Sequence, residues 1–180
     1  ELTQATKAQS DIIGKPVVEF VDELVPALIA ARIRDLGDRV DALAIVAVDH
    51  PLVNEAVEDV SAKGKPVLTL LSDITSPARV GYLAVDTRRA GRTAAWTIAR
   101  LAKTPGKIGI LVGSHRYLSQ EISEISFRSY IREHAPDFHL LEPIINLDDE
   151  RIAYEAVTDM LGGNPDLVGI YVSGGGQHGL

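Results

Sequence analysis

The sequence contains no cysteine among its 180 residues. Its absence excludes disulfides, thiolate nucleophiles and zinc sites with thiolate ligands. It fits a reducing compartment, although many exported proteins also lack disulfides. No apolar run approaches the roughly 18 residues of a membrane span, and residues 1–15 lack the apolar core of a signal peptide. We therefore expect no membrane partner.

Positive charge is also scarce, with 18 Lys and Arg against 25 Asp and Glu and a net charge of -7. This balance argues against a general nucleic-acid-binding surface on this segment, because phosphate binding needs clustered cations. The five histidines show no HxH or HxxxH spacing, and no GxSxG motif occurs. We expect neither a metal nor a cofactor, and the sequence favours a protein that is not an enzyme.

Short β-branched runs alternate with longer amphipathic runs along the whole chain. The predicted strands are 17–21, 42–48, 66–71, 82–86, 107–112, 140–145 and 167–172. The predicted helices are 27–36, 53–60, 88–102, 118–134 and 152–161. This βαβα order predicts an α/β fold with parallel sheets and helices on both faces. The continuous apolar run at 42–48 is typical of a strand buried on both faces.

The alternation breaks at SDITSPARVG, which links the strands at 66–71 and 82–86. Parallel neighbours usually need a crossover of about a dozen residues or more. The second strand is therefore predicted to run antiparallel at a sheet edge or to leave the first sheet. We interpret the link as a crossover near 72–88 between an N-terminal lobe at 1–85 and a C-terminal lobe at 86–180.

Both ends of the chain are expected to be incomplete. Residues 1–16 are typical of the latter part of a helix ending at Gly14, with Pro16 just beyond it. A helix entering a parallel sheet normally follows a strand, and the last predicted strand has no helix after it. The sequence thus predicts that the first strand of the N-terminal lobe is missing and that the C-terminal lobe is also truncated.

Carboxylates follow three predicted strands, at Asp49, Asp73 and Asp86. Ligands of doubly wound sheets bind outside the carboxyl ends of strands. Carboxylates there accept hydrogen bonds from hydroxyl groups, which suits a sugar or polyol. Asp86 is better explained as a helix cap or hinge residue, whereas Asp73 suits ligand contact and a structural role equally.

Two further segments border the predicted cleft. Gln120, Glu121 and Glu124 open the helix at 118–134, where acidic groups suit the helix dipole or face the cleft. The run SGGGQHG at 173–179 follows a strand but lacks the Gly-Lys-Ser/Thr of a phosphate loop. We favour the rim of a cleft for this run over a phosphate loop or a plain turn.

Four segments in order carry a family resemblance: DALAIVAVDHPLVNEAVEDVSAKGKPVLTLLSD, YLAVDTRRAGRTAAWTIARL, GKIGILVGS and SFRSYIRE. Their order and spacing resemble the ligand-binding region of the lactose-repressor (LacI/GalR) family. That region is similar to the periplasmic sugar-binding proteins of type I. The resemblance implies two Rossmann-like lobes joined by hinge strands, with a sugar between them.

The resemblance also implies where ligand contacts lie and where they differ. The family's sugar-binding Arg falls on Ser123, and its late Asn-Asp pair falls near Gly174 and Gly175. The Asp that follows the family's Pvv segment is displaced to Ser72–Asp73. The resulting ligand-binding candidates are Asp49, Ser72, Asp73, Glu121, Ser123, Glu124, Asp148, Gly174 and Gly175. The departures predict either an effector other than the usual hexoses or one that is bound through Glu121, Glu124 and backbone groups of the glycine loop.

By resemblance, the chain is expected to be the effector-binding core of a bacterial LacI-type transcriptional regulator. A carbohydrate-like small molecule would control operator DNA binding by a helix-turn-helix domain absent from this chain, in a cytoplasmic homodimer. One alternative is a periplasmic-type sugar-binding protein of an ABC transporter. Another is an α/β enzyme that uses Asp73 or Asp86 as a base.

Overall fold

The computed structural model describes residues 14–21 and 23–180, so most of the helix predicted at 1–16 lies outside the described residues. The helices are α1 Pro26–Arg39, α2 Pro51–Ala62, α3 Thr87–Leu101, α4 Leu118–His134 and α5 Glu150–Gly163. The strands are β1 Leu43–Ile45, β2 Val67–Leu70, β3 Gly81–Leu83, β4 Lys107–Val112, β5 His139–Leu140, β6 Ile144–Ile145 and β7 Leu167–Ser173. The predicted α/β class with parallel sheets is confirmed.

The first sheet has the order β1-β2-β3, and both pairings are parallel. Helices α1 and α2 pack together against one of its faces, where Ile33, Val57 and Val67 are buried. The opposite face is different, since Val46 is 51% exposed and Ala44 is also exposed. The prediction that 42–48 is buried on both faces was therefore wrong, because no described helix covers the second face.

The link between β2 and β3 contains no helix, yet the two strands are parallel, with Leu68 opposite Gly81. The prediction of an antiparallel or departing strand was wrong here. The ten linking residues can extend over roughly 33 Å, whereas the four residues of β2 rise only about 13 Å. An irregular link can therefore return to the start of the sheet without a helix.

After β3 the chain enters α3, and Asp86 caps that helix by accepting a hydrogen bond from the Arg89 backbone N–H at 3.0 Å. The cap interpretation of Asp86 is confirmed. The two sheets fall on either side of the predicted lobe boundary at residues 85 and 86. The division into an N-terminal and a C-terminal lobe remains a prediction.

The second sheet is built around β4, which pairs in parallel with β5 and β6 on one side and with β7 on the other. The strand predicted at 140–145 is divided into two. Its first part pairs with the start of β4, its second part pairs with the end, and Pro143 lies between them. A proline has no N–H for the ladder, which explains the interruption.

Helices cover both faces of the second sheet. On one face α3 and α4 pack around Ile110 and Phe127, both fully buried. On the other face α5 places Met160 beside Leu111. None of the helices in the described part of the chain is long and apolar enough to cross a membrane.

The strand predicted at 17–21 is absent. Residues 14–21 have no regular structure, and Val18 and Phe20 are 59% and 87% exposed. The β-branched composition favours a strand, but a strand requires a hydrogen-bonding neighbour, and this segment has none among the described strands.

Candidate functional site

The carboxyl ends of β4, β6 and β7 meet the first turn of α4. The chain leaves these strands at Gly113, Asn146 and Gly174, and α4 contributes Gln120. We call Gly113, Gln120, Asp148, Gly174 and Gly175 the second strand-end surface. Parallel α/β sheets bind their ligands at this edge, because the loops that follow the strands are not constrained by hydrogen bonds between strands.

Gln120 and Asp148 are neighbouring side chains on this surface. Gln120 Oε1 accepts a hydrogen bond from the Ser114 backbone N–H at 2.7 Å. Its Nε2 lies 3.4 and 3.5 Å from the two carboxylate oxygens of Asp148. Asp148 Oδ1 also accepts a hydrogen bond from the Gly175 backbone N–H at 2.5 Å. The carboxylate is thus fixed through one oxygen and held loosely through the other.

The backbone before Asp148 is unusual and is supported by Asn146. Leu147 and Asp148 have φ values of 54° and 59°, a left-handed conformation that costs free energy for residues other than glycine. The buried Asn146 amide donates to the Gly175 carbonyl at 3.0 Å, and its oxygen accepts from the Asp148 N–H at 3.2 Å. Asn146 therefore joins the turn at Asp148 to the glycine loop.

Glycines make room for this carboxylate. A Cβ on Gly113 would overlap Asp148 Oδ1, and one on Gly174 would lie only 2.7 Å from the same atom. A Cβ on Gly175 would lie 3.1 Å from it. Gly174 also has φ 135°, which a residue with a side chain rarely adopts. The glycines after β7 therefore permit the close approach of the Asp148 carboxylate, and the rim of a cleft at this loop stays a prediction.

We call Asp49, Ser72, Asp73 and Thr75, which follow β1 and β2, the first strand-end surface. Asp49 Oδ1 accepts hydrogen bonds from the Thr75 N–H at 2.9 Å, the Thr75 hydroxyl at 3.0 Å and the Asn54 amide at 3.1 Å. That oxygen therefore holds the loop after β2 against the start of α2.

Asp73 is paired with Arg79. The Arg79 Nη2 lies 2.6 Å from Asp73 Oδ2, and the Thr69 hydroxyl donates to Oδ1 at 2.8 Å. Partial burial by itself would raise the pKa of Asp73, but the hydrogen bonds from Arg79 and Thr69 outweigh it and lower that pKa below its ordinary value. Asp73 is therefore an ionised structural partner of Arg79.

Residues 114–119 connect the two surfaces. The Asp49 N–H donates to the Arg116 carbonyl at 2.9 Å, and the Ser119 N–H donates to the Ser72 hydroxyl at 3.2 Å. The Tyr117 ring packs against the core of the first sheet. Burial and the negative charge of Asp148 raise the pKa of the Tyr117 hydroxyl. Residues 114–119 therefore adjoin both strand-end surfaces.

The structure groups most of the predicted site residues. Asp148, Gly174 and Gly175 lie together on the second strand-end surface, and Asp49, Ser72 and Asp73 on the first. Glu121 lies in the first turn of α4 and is half-buried, and its carboxylate has no hydrogen bond or ion pair to other described residues. Their ligand contacts remain predictions.

Ser123 and Glu124 lie apart from this grouping. The Ser123 hydroxyl is 2.6 Å from the Tyr171 hydroxyl, and Tyr171 stacks on Phe127 within the core. Glu124 is 5% exposed and forms an ion pair with Arg128. Both groups already have partners within the protein, so neither resembles a free ligand contact.

Sequence reasoning named Gln120 at the start of α4 but did not select it, and it did not identify Asn146, Tyr117 or Thr75. Asn146 directly follows a predicted strand, so the rule that selected Asp49 and Asp73 would have found it. Nothing in the sequence pattern indicates that Tyr117 reaches the core of the first sheet, because that contact joins residues distant along the chain.

Other features of the described residues do not provide a site at the strand ends. No group of His, Asp or Glu side chains among residues 14–21 and 23–180 is arranged to hold a metal ion. One hollow of about 470 Å³, lined by Tyr130, His134 and Phe138, lies at the far end of α4. A second, of about 490 Å³, lies beside Phe20 and α1.

The sequence of residues 22–179 matches the model of the periplasmic binding protein domain family. The chain belongs to that family. No curated protein sequence gives a significant match.

Several solved structures share this fold. A solute-binding protein of an ABC transporter from Burkholderia graminis, in complex with D-arabinose, is 25% identical, with a TM-score of 0.75 over 83% of this chain and 51% of its own. One from Agrobacterium vitis with bound D-fucose is 22% identical, with a TM-score of 0.79 over 94% of this chain and 60% of its own.

A third, from Clostridium phytofermentas with bound L-rhamnose, is 17% identical and has a TM-score of 0.84 over 98% of this chain and 54% of its own. The chain therefore spans between about half and three fifths of the length of these solved relatives.

Proposed function

We propose that the chain is the ligand-binding part of a sugar-binding protein of the kind that serves ABC transporters. The family match supports this function, as does the similarity to a solute-binding protein whose structure contains D-arabinose. This chain spans 51% of the length of that relative. That the complete protein serves sugar transport is therefore also part of the proposal.

The observation that carries the proposal is that two strand-end surfaces rich in hydrogen-bonding groups adjoin the same segment, residues 114–119. The second surface offers the Gln120 amide and the Asp148 carboxylate, and Glu121 lies one residue further along α4. A sugar has many hydroxyl groups, each able to donate and accept, so it needs side chains of both kinds on opposite sides.

Binding alone is sufficient for this function. The two carboxylates considered as possible bases have other partners, since Asp73 is paired with Arg79 and Asp86 caps α3. The ligand would contact both surfaces and so favour the arrangement in which they are close. Because a ligand shifts a conformational equilibrium only by its difference in affinity for the two states, contacts to both surfaces are required.

Calorimetric titration of the chain with D-arabinose, D-fucose and L-rhamnose tests this proposal. We expect saturable binding of at least one sugar, weakened about tenfold or more by Glu121→Gln, the magnitude of one hydrogen bond to a charged group. The control is Glu155→Gln, because Glu155 is exposed on α5 and, within the described part of the chain, pairs only with Arg151. Folded protein that binds none of the three would overturn the proposal.

The second candidate is the effector-binding core of a LacI-type regulator, favoured by the order of the four resembling segments. It would bind operator DNA through another domain, act as a homodimer and be cytoplasmic. The coding DNA upstream of the Glu1 codon distinguishes the two candidates. A helix-turn-helix there supports the regulator, whereas a signal peptide supports an exported transport protein.

A further inference from the structure

We infer that α3 and the hollow beside it form a docking surface for an acidic segment of a partner protein that also carries an apolar side chain. The surface consists of Arg89, Trp96 and Arg100 on α3 and of the hollow between the ends of α3 and α4. We call it the α3–α4 surface. It lies outside the two strand-end surfaces, so the inference goes beyond sugar binding and does not depend on it.

The first step is the charge of α3. The helix contains four arginines and no aspartate or glutamate, whereas the whole chain has a net charge of -7. Arg88 and Arg89 lie in the first turn, where positive charge opposes the helix dipole and lowers helix stability. The stability of the helix therefore does not explain this charge, whereas contact with an acidic partner does.

The second step is that three side chains of α3 share an exposed stripe. Residues 89, 96 and 100 are seven and then four positions apart, a spacing that places them on one face of a helix. Arg89, Trp96 and Arg100 are all exposed, and Trp96 is 49% exposed. At 1.5 Å per residue the stripe is roughly 17 Å long.

The third step separates the arginine that supports the fold from the arginines of the stripe. Arg92 donates to Glu133 Oε2 from both Nη atoms at 3.1 Å, and its guanidinium carbon lies 5.2 Å from the centre of the Tyr130 ring. Arg92 therefore joins α3 to α4 and holds Tyr130, which lines the hollow.

The arginines of the stripe keep their capacity to bind a carboxylate. Within the described part of the chain, Arg89 pairs only with Asp86, over an exposed contact of 3.5 Å, and Arg100 has no ion pair. Exposed ion pairs contribute little free energy, so a carboxylate from a partner can replace Asp86. A guanidinium binds a carboxylate through two parallel hydrogen bonds. The stripe therefore suits two carboxylates along one segment.

The fourth step concerns the hollow, which has a volume of about 470 Å³. Ala99, Tyr130 and Phe138 line it, and Arg100 borders it. Asp137 also lies in its lining, so a carboxylate in the hollow would be repelled, whereas an apolar side chain would be removed from water there. Trp, Tyr and Arg are the residues most enriched at the centres of protein interfaces. The hollow therefore receives the apolar side chain.

The acids around the stripe favour a protein segment over a nucleic acid. Asp86, Glu133 and Asp137 all border the α3–α4 surface. A nucleic-acid backbone carries regularly spaced phosphates and needs clustered cations along its path, so it would meet these acids. A short acidic segment contacts the arginines and the hollow alone.

The test uses the fluorescence of Trp96, the only tryptophan of the chain, which lies on the stripe itself. The probe is a synthetic peptide of three Glu-Glu-Leu-Glu repeats, titrated at pH 7, where its glutamates are ionised. We expect a saturable blue shift of the emission with a Kd below about 1 mM. Raising the NaCl concentration from about 50 to about 500 mM should weaken binding about tenfold, because the ion pairs are exposed to solvent.

Matched probes and variants separate the two parts of the surface. A peptide with Gly in place of each Leu should bind about tenfold more weakly, because it places no apolar group in the hollow. Arg89→Gln and Arg100→Gln should each weaken binding of the acidic peptide about threefold to fivefold. The control is Arg151→Gln, which removes the same charge from the exposed surface of α5 and should leave the affinity unchanged.

Each outcome decides the inference. It is wrong if the Trp96 emission does not change up to about 1 mM peptide, if a peptide with Lys in place of Glu binds equally well, or if neither arginine variant weakens binding. Tighter binding of a short DNA duplex than of the acidic peptide would assign the surface to nucleic acid and also overturn it. None of these results depends on a sugar, so the proposed function is tested separately.

Discussion

The two sheets of this protein differ in how their surfaces and strand ends are used. The first sheet packs on one face only, and its strand-end carboxylates are held by Thr75 and Arg79. The second sheet is covered on both faces, and its strand ends carry glycines beside Gln120 and Asp148, whose mutual contacts are 3.4 and 3.5 Å long. A well-packed scaffold thus supports strand ends on which the outer oxygen of Asp148 keeps hydrogen-bonding capacity.

The largest expected effect tests the difference in packing. Ile110→Ala should lower the free energy of unfolding by about 2–5 kcal/mol, because Ile110 is fully buried between helices and sheet. Val46 is 51% exposed on the uncovered face of the first sheet. Val46→Ala should therefore change the free energy of unfolding by no more than about 0.5 kcal/mol. Urea denaturation measures both values, and equal losses would show that both sheets are covered alike.

A second prediction concerns the close packing of α3 and α4 above the second sheet. A Cβ on Gly91 would overlap the Ser123 carbonyl, so Gly91→Ala should destabilise the fold by about 1–3 kcal/mol. Gly162 lies in α5 with no atom within 4 Å of its Cβ position, so Gly162→Ala should be neutral or slightly stabilising. Thermal unfolding compares them, and equal midpoints would contradict this packing.

The ion pair on the first strand-end surface provides a third prediction. Arg79→Ala should cost about 1–2 kcal/mol at pH 7, since it leaves Asp73 partly buried without its partner. The pKa of Asp73 is lowered in the folded state, so its contribution is present above the ordinary carboxyl range and is lost as pH falls through the folded pKa.

Unfolding measured from pH 7 to pH 3 should therefore show a smaller acid-induced loss in Arg79→Ala than in the unmodified chain. Lys63→Ala serves as the control, because its pair with Asp38 is exposed to solvent and should matter less. Identical pH profiles for the Arg79→Ala variant and the unmodified chain would contradict a structural role for the pair.

The smallest expected effect sharpens the contact between the two surfaces. Ser72→Ala removes the acceptor of the Ser119 N–H and should lower the free energy of unfolding by about 0.5–1.5 kcal/mol. Ser119→Ala keeps that N–H in place and should have a smaller effect. Hydrogen exchange at the Ser119 N–H should become faster in Ser72→Ala only. Equal exchange rates in the two variants would contradict the hydrogen bond between Ser119 and Ser72.

Elements with strong local patterns were predicted well. The helix at 118–134 was predicted to the residue, with Phe127, Tyr130 and Ile131 at i, i+3 and i+4 as its local signal. The strand at 17–21 and the separation of β3 from the first sheet were wrong, because strand pairing depends on neighbours and on the path of a loop. Similarly, the apolar run at 42–48 did not reveal that one face lacks a covering helix.

The candidate site, too, could be predicted in part, namely where local sequence patterns were sufficient. The rule that ligands bind at strand ends led to Asp49, Asp73 and the glycine loop from sequence alone. It could not show that Asp73 is paired with Arg79, or that Ser123 faces Tyr171 inside the core. Side-chain partners depend on rotamers and on loop conformations that composition does not encode.

By itself, the sequence determined the α/β class, the alternation of helices with most of the strands and the placement of polar residues at strand ends, because these follow from local periodicity. Only the tertiary structure decided which of those residues remain available to a ligand. It brings Gln120, Asp148 and the glycine loop together, although Gln120 and Gly174 are 54 positions apart in the sequence. Contacts over such separations are set by packing of whole elements, so no local pattern can specify them.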